Sequence, residues 1–236
     1  QVLRTPAGAL AGLVVEAARE RPPPDHVAAV LAHRDVRLGM ARDAFEQARD
    51  DYEIACLRGR PVDDALADPG RLIALARQAA ADARAHPQLR ALDEPRWAAL
   101  DTLAHRLASA FAPLAALREA GAEPLPAWLD AHRAALDALT ATSDDDAPRQ
   151  GLDRAALSQL FDETREAADD ELMLGCADYA AFVLRLADAE SMTPEPGHPR
   201  LAILGALESR LIDVDRLVIG GLDETVWPAV ASTDAF

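Results

Sequence analysis

Lysine is missing from the 236 residues, so all 24 basic side chains are arginine. A Walker A loop reaches the β and γ phosphates of a nucleotide through its lysine, and that absence excludes one here. Cysteine is scarce. Cys56 and Cys176 stand far apart and alone, which excludes a disulfide framework or a clustered-thiolate zinc site and fits a reducing compartment. No apolar run approaches the roughly 18 residues that a membrane-crossing helix needs. The opening QVLRTPAGALAGLVVEAARE has neither a basic leader nor a small-residue cleavage site, so a cytoplasmic location is expected. No internal repeat recurs at a fixed period, which argues against a helical solenoid.

What is present is a globular composition, 50% hydrophobic and 27% charged, with a net charge of −16. Such a surface repels polyanions unless positive charge is segregated. Residues 1–60 carry nine arginines and nine acids, whereas 144–195 carry four arginines against fourteen acids. Any nucleic-acid contact is therefore expected away from the acidic block. Both ends read as cut from a longer polypeptide.

The apolar spacing predicts mostly helix. Thr5-Pro6 is an N-cap followed by proline at the first helical position, with Leu10, Leu13, Val14 and Ala17 on one face. RPPPD at 21–25 breaks that helix, and Asp25 is placed to cap a short one over His26–Ala32. One helix is expected over Leu38–Leu57, stopped by Gly59-Arg60-Pro61, and another from Pro69 to about His86. The longest periodic segment is Glu94–Ala120, with Trp97, Leu100, Leu103, Leu107 and Phe111 in its stripe and Pro113 as a kink site. Trp128 to Leu139 marks a further helix, TATSDDDAPRQG at 140–151 a linker, and Asp153 to about Leu172 and Tyr179–Glu190 two more, the second capped by Asp178. Beyond the proline-rich joint TPEPGHP, the runs RLAIL and RLVIG are short and β-branched, with a helical turn between them. The expectation is a mainly α chain: a helical subdomain over 1–192 and a small, incomplete strand-helix-strand unit over 193–236. Such a unit cannot bury both faces alone, so a sheet from elsewhere is expected to cover it.

Several constellations read as ordinary surface. His33-Arg34-Asp35 lacks the asparagine of a kinase catalytic loop, since Met40 occupies that position. Asp144-Asp145-Asp146 is expected to be a solvated linker, because consecutive side chains diverge. Glu163, Glu166, Asp169, Asp170 and Glu171 are read as an exposed acidic face. Arginines 34, 37, 42, 49, 58 and 60 suit phosphate contacts, but Glu46, Asp50, Asp51 and Glu53 interleave with them as for salt-bridged helix faces. The closing RLVIGGLDETVWP differs. A double glycine after a strand allows close backbone approach, and acids and a tryptophan follow at the strand edge, where open α/β sheets bind ligands.

The run HPRLAILGALESRLIDVDRLVIGGLDETVWP, His198 to Pro228, resembles the matching segment of the AddB family. These are the subunits that partner AddA in bacterial helicase-nuclease complexes. Gly205, Leu207, Glu208, Arg210 and Leu211 match its inter-strand turn, and Gly220, Gly221, Leu222, Glu224, Trp227 and Pro228 its closing motif. The layout is similar to motif V of superfamily 1 helicases. The segments at 3–18, 31–39 and 45–61 are similar to the start of the helical insert of the second motor domain. Asp223 stands where asparagine is usual and Thr225 where glycine is usual, and no lysine follows the first strand. The resemblance implies an inserted helical subdomain followed by part of a helicase-like domain, within a subunit that resects double-strand breaks for recombinational repair. It implies an AddA-type partner, DNA engaged through the whole complex, no membrane, and ATP, magnesium and an iron–sulfur cluster held outside these residues. It assigns no catalytic residue and no metal ligand here. DNA or domain contacts are implied at Gly205, Glu208, Arg210, Gly220, Gly221, Glu224, Trp227 and Pro228. The residues alone also admit an acidic helical interaction module with no nucleic-acid role.

Overall fold

Thr5 starts the first helix, as its spacing from Pro6 predicts. Its side-chain oxygen accepts from the Gly8 amide at 3.2 Å, closing the first turn of α1 (Pro6–Arg19) in the way an N-cap satisfies orphan donors. The computed structural model describes residues 1–19, 22–58, 68–143, 152–169, 171–189, 204–205 and 213–219. The chain divides into two units, Gln1–Thr193 and Pro194–Phe236.

The first unit is helical. After α1 come α2 (Pro24–Ala32), α3 (Arg42–Tyr52), α4 (Pro69–Ala80), α5 (Pro87–Arg90), α6 (Glu94–Ala120), α7 (Leu125–Thr140), α8 (Leu152–Ala167) and α9 (Cys176–Ala189). Among the described residues one sheet exists, the antiparallel pair β1 (Glu123–Pro124) and β2 (Met173–Leu174). The central element is α1, which is packed by α2, α6, α7, α8 and α9. Its small residues permit that crowding. A Cβ on Gly8 would lie 2.0 Å from the Val2 carbonyl oxygen, so the 3₁₀ turn Val2–Arg4 rests directly on the α1 backbone. The core of Leu10, Val14, Leu100, Leu103, Trp128 and Leu139 is almost wholly shielded from solvent.

The long helix α6 covers the periodic segment from end to end, a span of about 40 Å at the helical rise, and passes through Pro113. Pro113 lies on the exposed side, where water can serve the carbonyl that its missing N–H leaves. Elsewhere helix ends differ from the sequence reading. Asp25 and Asp178 sit in the first turns of α2 and α9 rather than at their caps. Helix α4 stops at Ala80, and α8 stops at Ala167 because Leu172–Leu174 turns to pair with the start of α7: the Leu125 amide donates to Leu172 O at 3.0 Å.

The single helix expected over Leu38–Leu57 is three elements. Leu38 and Gly39 have φ of 51° and 67°, in the left-handed region that ends helices. The amides of Arg37 and Leu38 donate to Leu139 O at 2.8 and 2.9 Å, and Gly39 N donates to Ala141 O at 2.6 Å. These are carbonyls at the C-terminus of α7, so this turn serves as that helix's cap from a hundred residues away. After α3 the chain widens into a π turn over Glu53–Leu57, closed by the Arg58 amide donating to Glu53 O at 3.0 Å.

In the second unit, Leu204, Gly205 and residues 213–219 carry neither helix nor strand. The second strand expected over 216–220 is therefore not formed at its described positions, 216–219. A strand requires a ladder partner, and among the described residues none pairs with it. Leu217, Val218 and Ile219 are instead 67, 84 and 59% exposed.

Because the Val2 carbonyl occupies the space a methyl would need, Gly8→Ala must displace either the N-terminal turn or α1. A loss of about 1–3 kcal/mol is expected, the scale of overpacking in a close-packed core, read as a lower urea midpoint at unchanged m-value. A midpoint within error of the unsubstituted chain would contradict the close approach.

Candidate functional site

The contact residues implied by the resemblance lie in the second unit. Of these, Gly205 is described and exposed. Glu208, Arg210, Gly220, Gly221, Glu224, Trp227 and Pro228 fall outside the described residues. Asp144, Asp145, Asp146 and Asp170 fall outside as well.

Among the arginines of the first 60 residues, Arg37, Arg49 and Arg58 are paired or packed. Arg37 is buried, donates to the Val36 carbonyl at 2.6 Å and lies over the Phe45 ring at 5.8 Å. Arg49 pairs with Asp50 and Arg58 with Glu53, each at 2.8 Å. Arg60 is outside the described residues. Glu163, Glu166, Asp169 and Glu171 are exposed, as expected of an acidic face. His33 is half-buried, with desolvation lowering its pKa against the opposing pull of Asp35; its Nδ1 accepts from the Asp35 amide at 3.3 Å. That ring is committed to a turn and is not poised as a base.

Three arrangements of polar groups were not anticipated from sequence. The first is a buried relay. His132 of α7 is fully buried, with Nε2 3.1 Å from the Ala11 carbonyl of α1 and Nδ1 3.0 Å from the Tyr179 hydroxyl of α9. A carbonyl can only accept, so Nε2 carries the proton and Nδ1 accepts from the phenol. Trp128 stacks on Tyr179 with ring centroids 5.2 Å apart and donates its indole N–H to Leu174 O at 2.9 Å. Burial pushes the His132 pKa down to about 4 and the Tyr179 phenol well up. Both are held neutral, which describes a structural relay rather than a proton-transfer site.

The second is the pair of buried Asp51 with Arg96. Arg96 Nε donates to Asp51 Oδ2 at 2.8 Å and its Nη2 to Oδ1, while Gln47 adds a third bond at 3.2 Å. The hydroxyl of the following residue, Tyr52, is buried with no hydrogen-bond partner.

The third is a cleft of about 320 Å³ between α1, α7 and α8. Leu10, Leu136, Leu157 and Phe161 form its apolar lining, and arginines 34, 133 and 154 line it together with Asp35, Asp137 and Asp153. Asp153 accepts from the Ala7 amide at 3.1 Å, placing a carboxylate at the positive end of α1. Among the described residues no group of three potential metal ligands converges, and no helix is long and apolar enough to cross a membrane.

The relay sets a pH dependence. His132 titrates near 6.5 when unfolded and near 4 when folded, so the unfolded chain binds the extra proton in between. Its contribution is present above pH 6.5 and lost as pH falls toward 4, about 3 kcal/mol in all. Urea midpoints measured across that window should show this slope, and His132→Leu should flatten it by one proton while lowering stability at pH 7. An unchanged slope in the variant would refute the buried neutral histidine. Tyr52→Phe removes a hydroxyl that hydrogen-bonds nothing, and a gain of up to about 1 kcal/mol is expected; a loss above that would reveal a partner for the phenol.

Comparison of the chain with protein-family models, with curated proteins and with solved structures finds no match, so the chemistry of its own residues carries the functional reading.

Proposed function

We propose that the chain is a helical insert with part of a helicase-like domain from an AddB-type subunit, acting in an ATP-dependent helicase-nuclease that resects double-strand breaks in the cytoplasm. Its role is to scaffold and gate DNA passage beside an AddA-type partner. The observation that carries this is the exposure of Leu217, Val218 and Ile219, immediately before the motif GGLDETVWP. Three strand-forming apolar side chains in water are costly unless another surface covers them. A motor-domain sheet supplies such a surface, and a mainly helical unit before the segment agrees with an insert.

The ATP, magnesium and iron–sulfur cluster of such a complex do not fit these residues. There is no lysine for a phosphate loop. The two cysteines do not make a cluster ligand set: Cys56 is buried, and the Cys176 thiol donates to Ala18 O at 3.4 Å. A second reading, an acidic interaction module without DNA contact, is supported by the exposed face of Glu163, Glu166, Asp169 and Glu171.

At about 0.15 M salt the isolated chain should bind single- and double-stranded DNA with Kd no tighter than about 100 μM, since its field is negative and most of its described guanidinium groups are internally paired. Tight, salt-sensitive binding would contradict this. In the full protein combined with an AddA-type subunit, Val218→Asp should slow ATP-dependent degradation of blunt duplex ends by at least about tenfold, because it places a charge where an apolar contact is required. Unimpaired degradation would sink the sheet-docking reading, and failure of the full protein to associate with any AddA-type subunit would favour the interaction module.

A further inference from the structure

We propose that the cleft between α1, α7 and α8 binds a small organic oxyanion with an apolar body. This stands independently of the helicase reading, because every residue it uses belongs to the helical unit. The cleft's volume of about 320 Å³ lies at the lower end of the range for small-molecule sites, which combine an apolar lining with a few converging polar groups. Leu10, Leu136, Leu157 and Phe161 supply that lining from three helices.

The charged groups around it divide into engaged and under-engaged. Arg133 donates to Asp162 at 2.6 Å, and Asp153 is held by the Ala7 amide. Arg34 and Arg154 differ: their nearest carboxylates, Asp35 and Asp137, each stand 3.8 Å away, beyond hydrogen-bond reach. Exposed pairs at that separation contribute little. Arg34 is 73% exposed at its side chain and Arg154 37%. Arg154 also donates to the Thr140 hydroxyl, whose own proton goes to Leu136 O at 2.8 Å.

Each guanidinium presents five N–H donors in a fork that matches a carboxylate or phosphate. Two such forks at one cleft have more donors than the local oxygens use. A ligand that seats its hydrocarbon on the leucines and Phe161 brings its oxyanion to Arg34 and Arg154.

Isothermal titration of the chain with octanoate, phenyl phosphate and 1-octanol tests this, the two anions separating carboxylate from phosphate head groups. At least one anion should bind one per chain with Kd below about 1 mM, a modest value for a ligand of this size. Octanol should bind at least about tenfold more weakly, since it cannot use the charge-assisted bonds. Arg34→Ala and Arg154→Ala should each weaken the anion about fivefold or more, the loss of one exposed charge-assisted bond. Leu136→Trp should abolish binding by filling the cleft, with Ser158→Trp filling it from α8 should the first variant lose its helical circular dichroism. Absence of anion binding, equal affinity for octanol, insensitivity to both arginine variants, or wild-type binding by a folded tryptophan variant would each overturn the proposal.

Discussion

The neutral imidazole of His132 is the constraint on which the helical unit depends. It sits where α1, α7 and α9 meet and links a carbonyl of the first helix to a phenol of the last. A ring with one donor and one acceptor suits that pair of partners, and no aliphatic side chain could serve both. Removing it leaves a buried hydroxyl and a helix carbonyl facing apolar atoms, a penalty larger than the net worth of either bond. Trp128, one turn earlier on α7, extends the connection to β2 through the Leu174 carbonyl. The start of α9 and the strand before it are thereby held to α7, although their sequence offers little local reason to stop and turn there.

Around this point guanidinium groups join neighbouring helices at the rims of the apolar core. Arg165 forks onto Asp130 at 2.7 and 2.8 Å, and Arg133 reaches Asp162, so α8 is laced to α7. The fork lowers the Asp130 pKa through its hydrogen bonds. Arg77 does the same between α4 and α6, holding Glu94 at 2.8 Å twice while lying 5.1 Å over Trp97. Arginine can pair bidentately and stack at once, which an ammonium cannot. A chain that uses arginine alone can thus join helices with polar contacts along their rims, and in α8 it leaves a gap between lacing and core that becomes the cleft.

Much of the helical architecture was legible in the sequence because its signals are local. The stripe from Trp97 to Leu117 spans α6 completely, and Thr5-Pro6 marks the start of α1. What was not legible depends on distant partners. Leu38 takes a left-handed conformation because its amide serves Leu139, and nothing between Leu38 and Leu57 announces a carbonyl a hundred residues away. Leu172 reads as the end of a helix, but the Leu125 amide claims its carbonyl and the Trp128 indole claims that of Leu174. The relay is not legible for the same reason: His132 falls within the helix expected over Trp128–Leu139 and Tyr179 opens the one expected to Glu190, and the bond between them exists only once α7 and α9 are packed. The cleft joins residues from opposite ends of the unit, and the hint available was the excess of arginine in a chain without lysine.

This placement of positive charge bears on how a nucleic acid would be met. Arg37 is buried over a ring, Arg106 donates to Leu38 O at 2.8 Å, Arg118 to Ala18 O at 3.3 Å, and Arg96 holds a buried carboxylate. Guanidinium groups engaged in this way lose their structural bonds if they turn to phosphate, so the helical unit resists becoming a polyanion surface even where its net charge is near zero. Counterion release rewards charges that can be brought to the backbone at no internal cost. In the DNA-processing role proposed above, the helical unit is expected to act by shape, as a wall and spacer, rather than by charge.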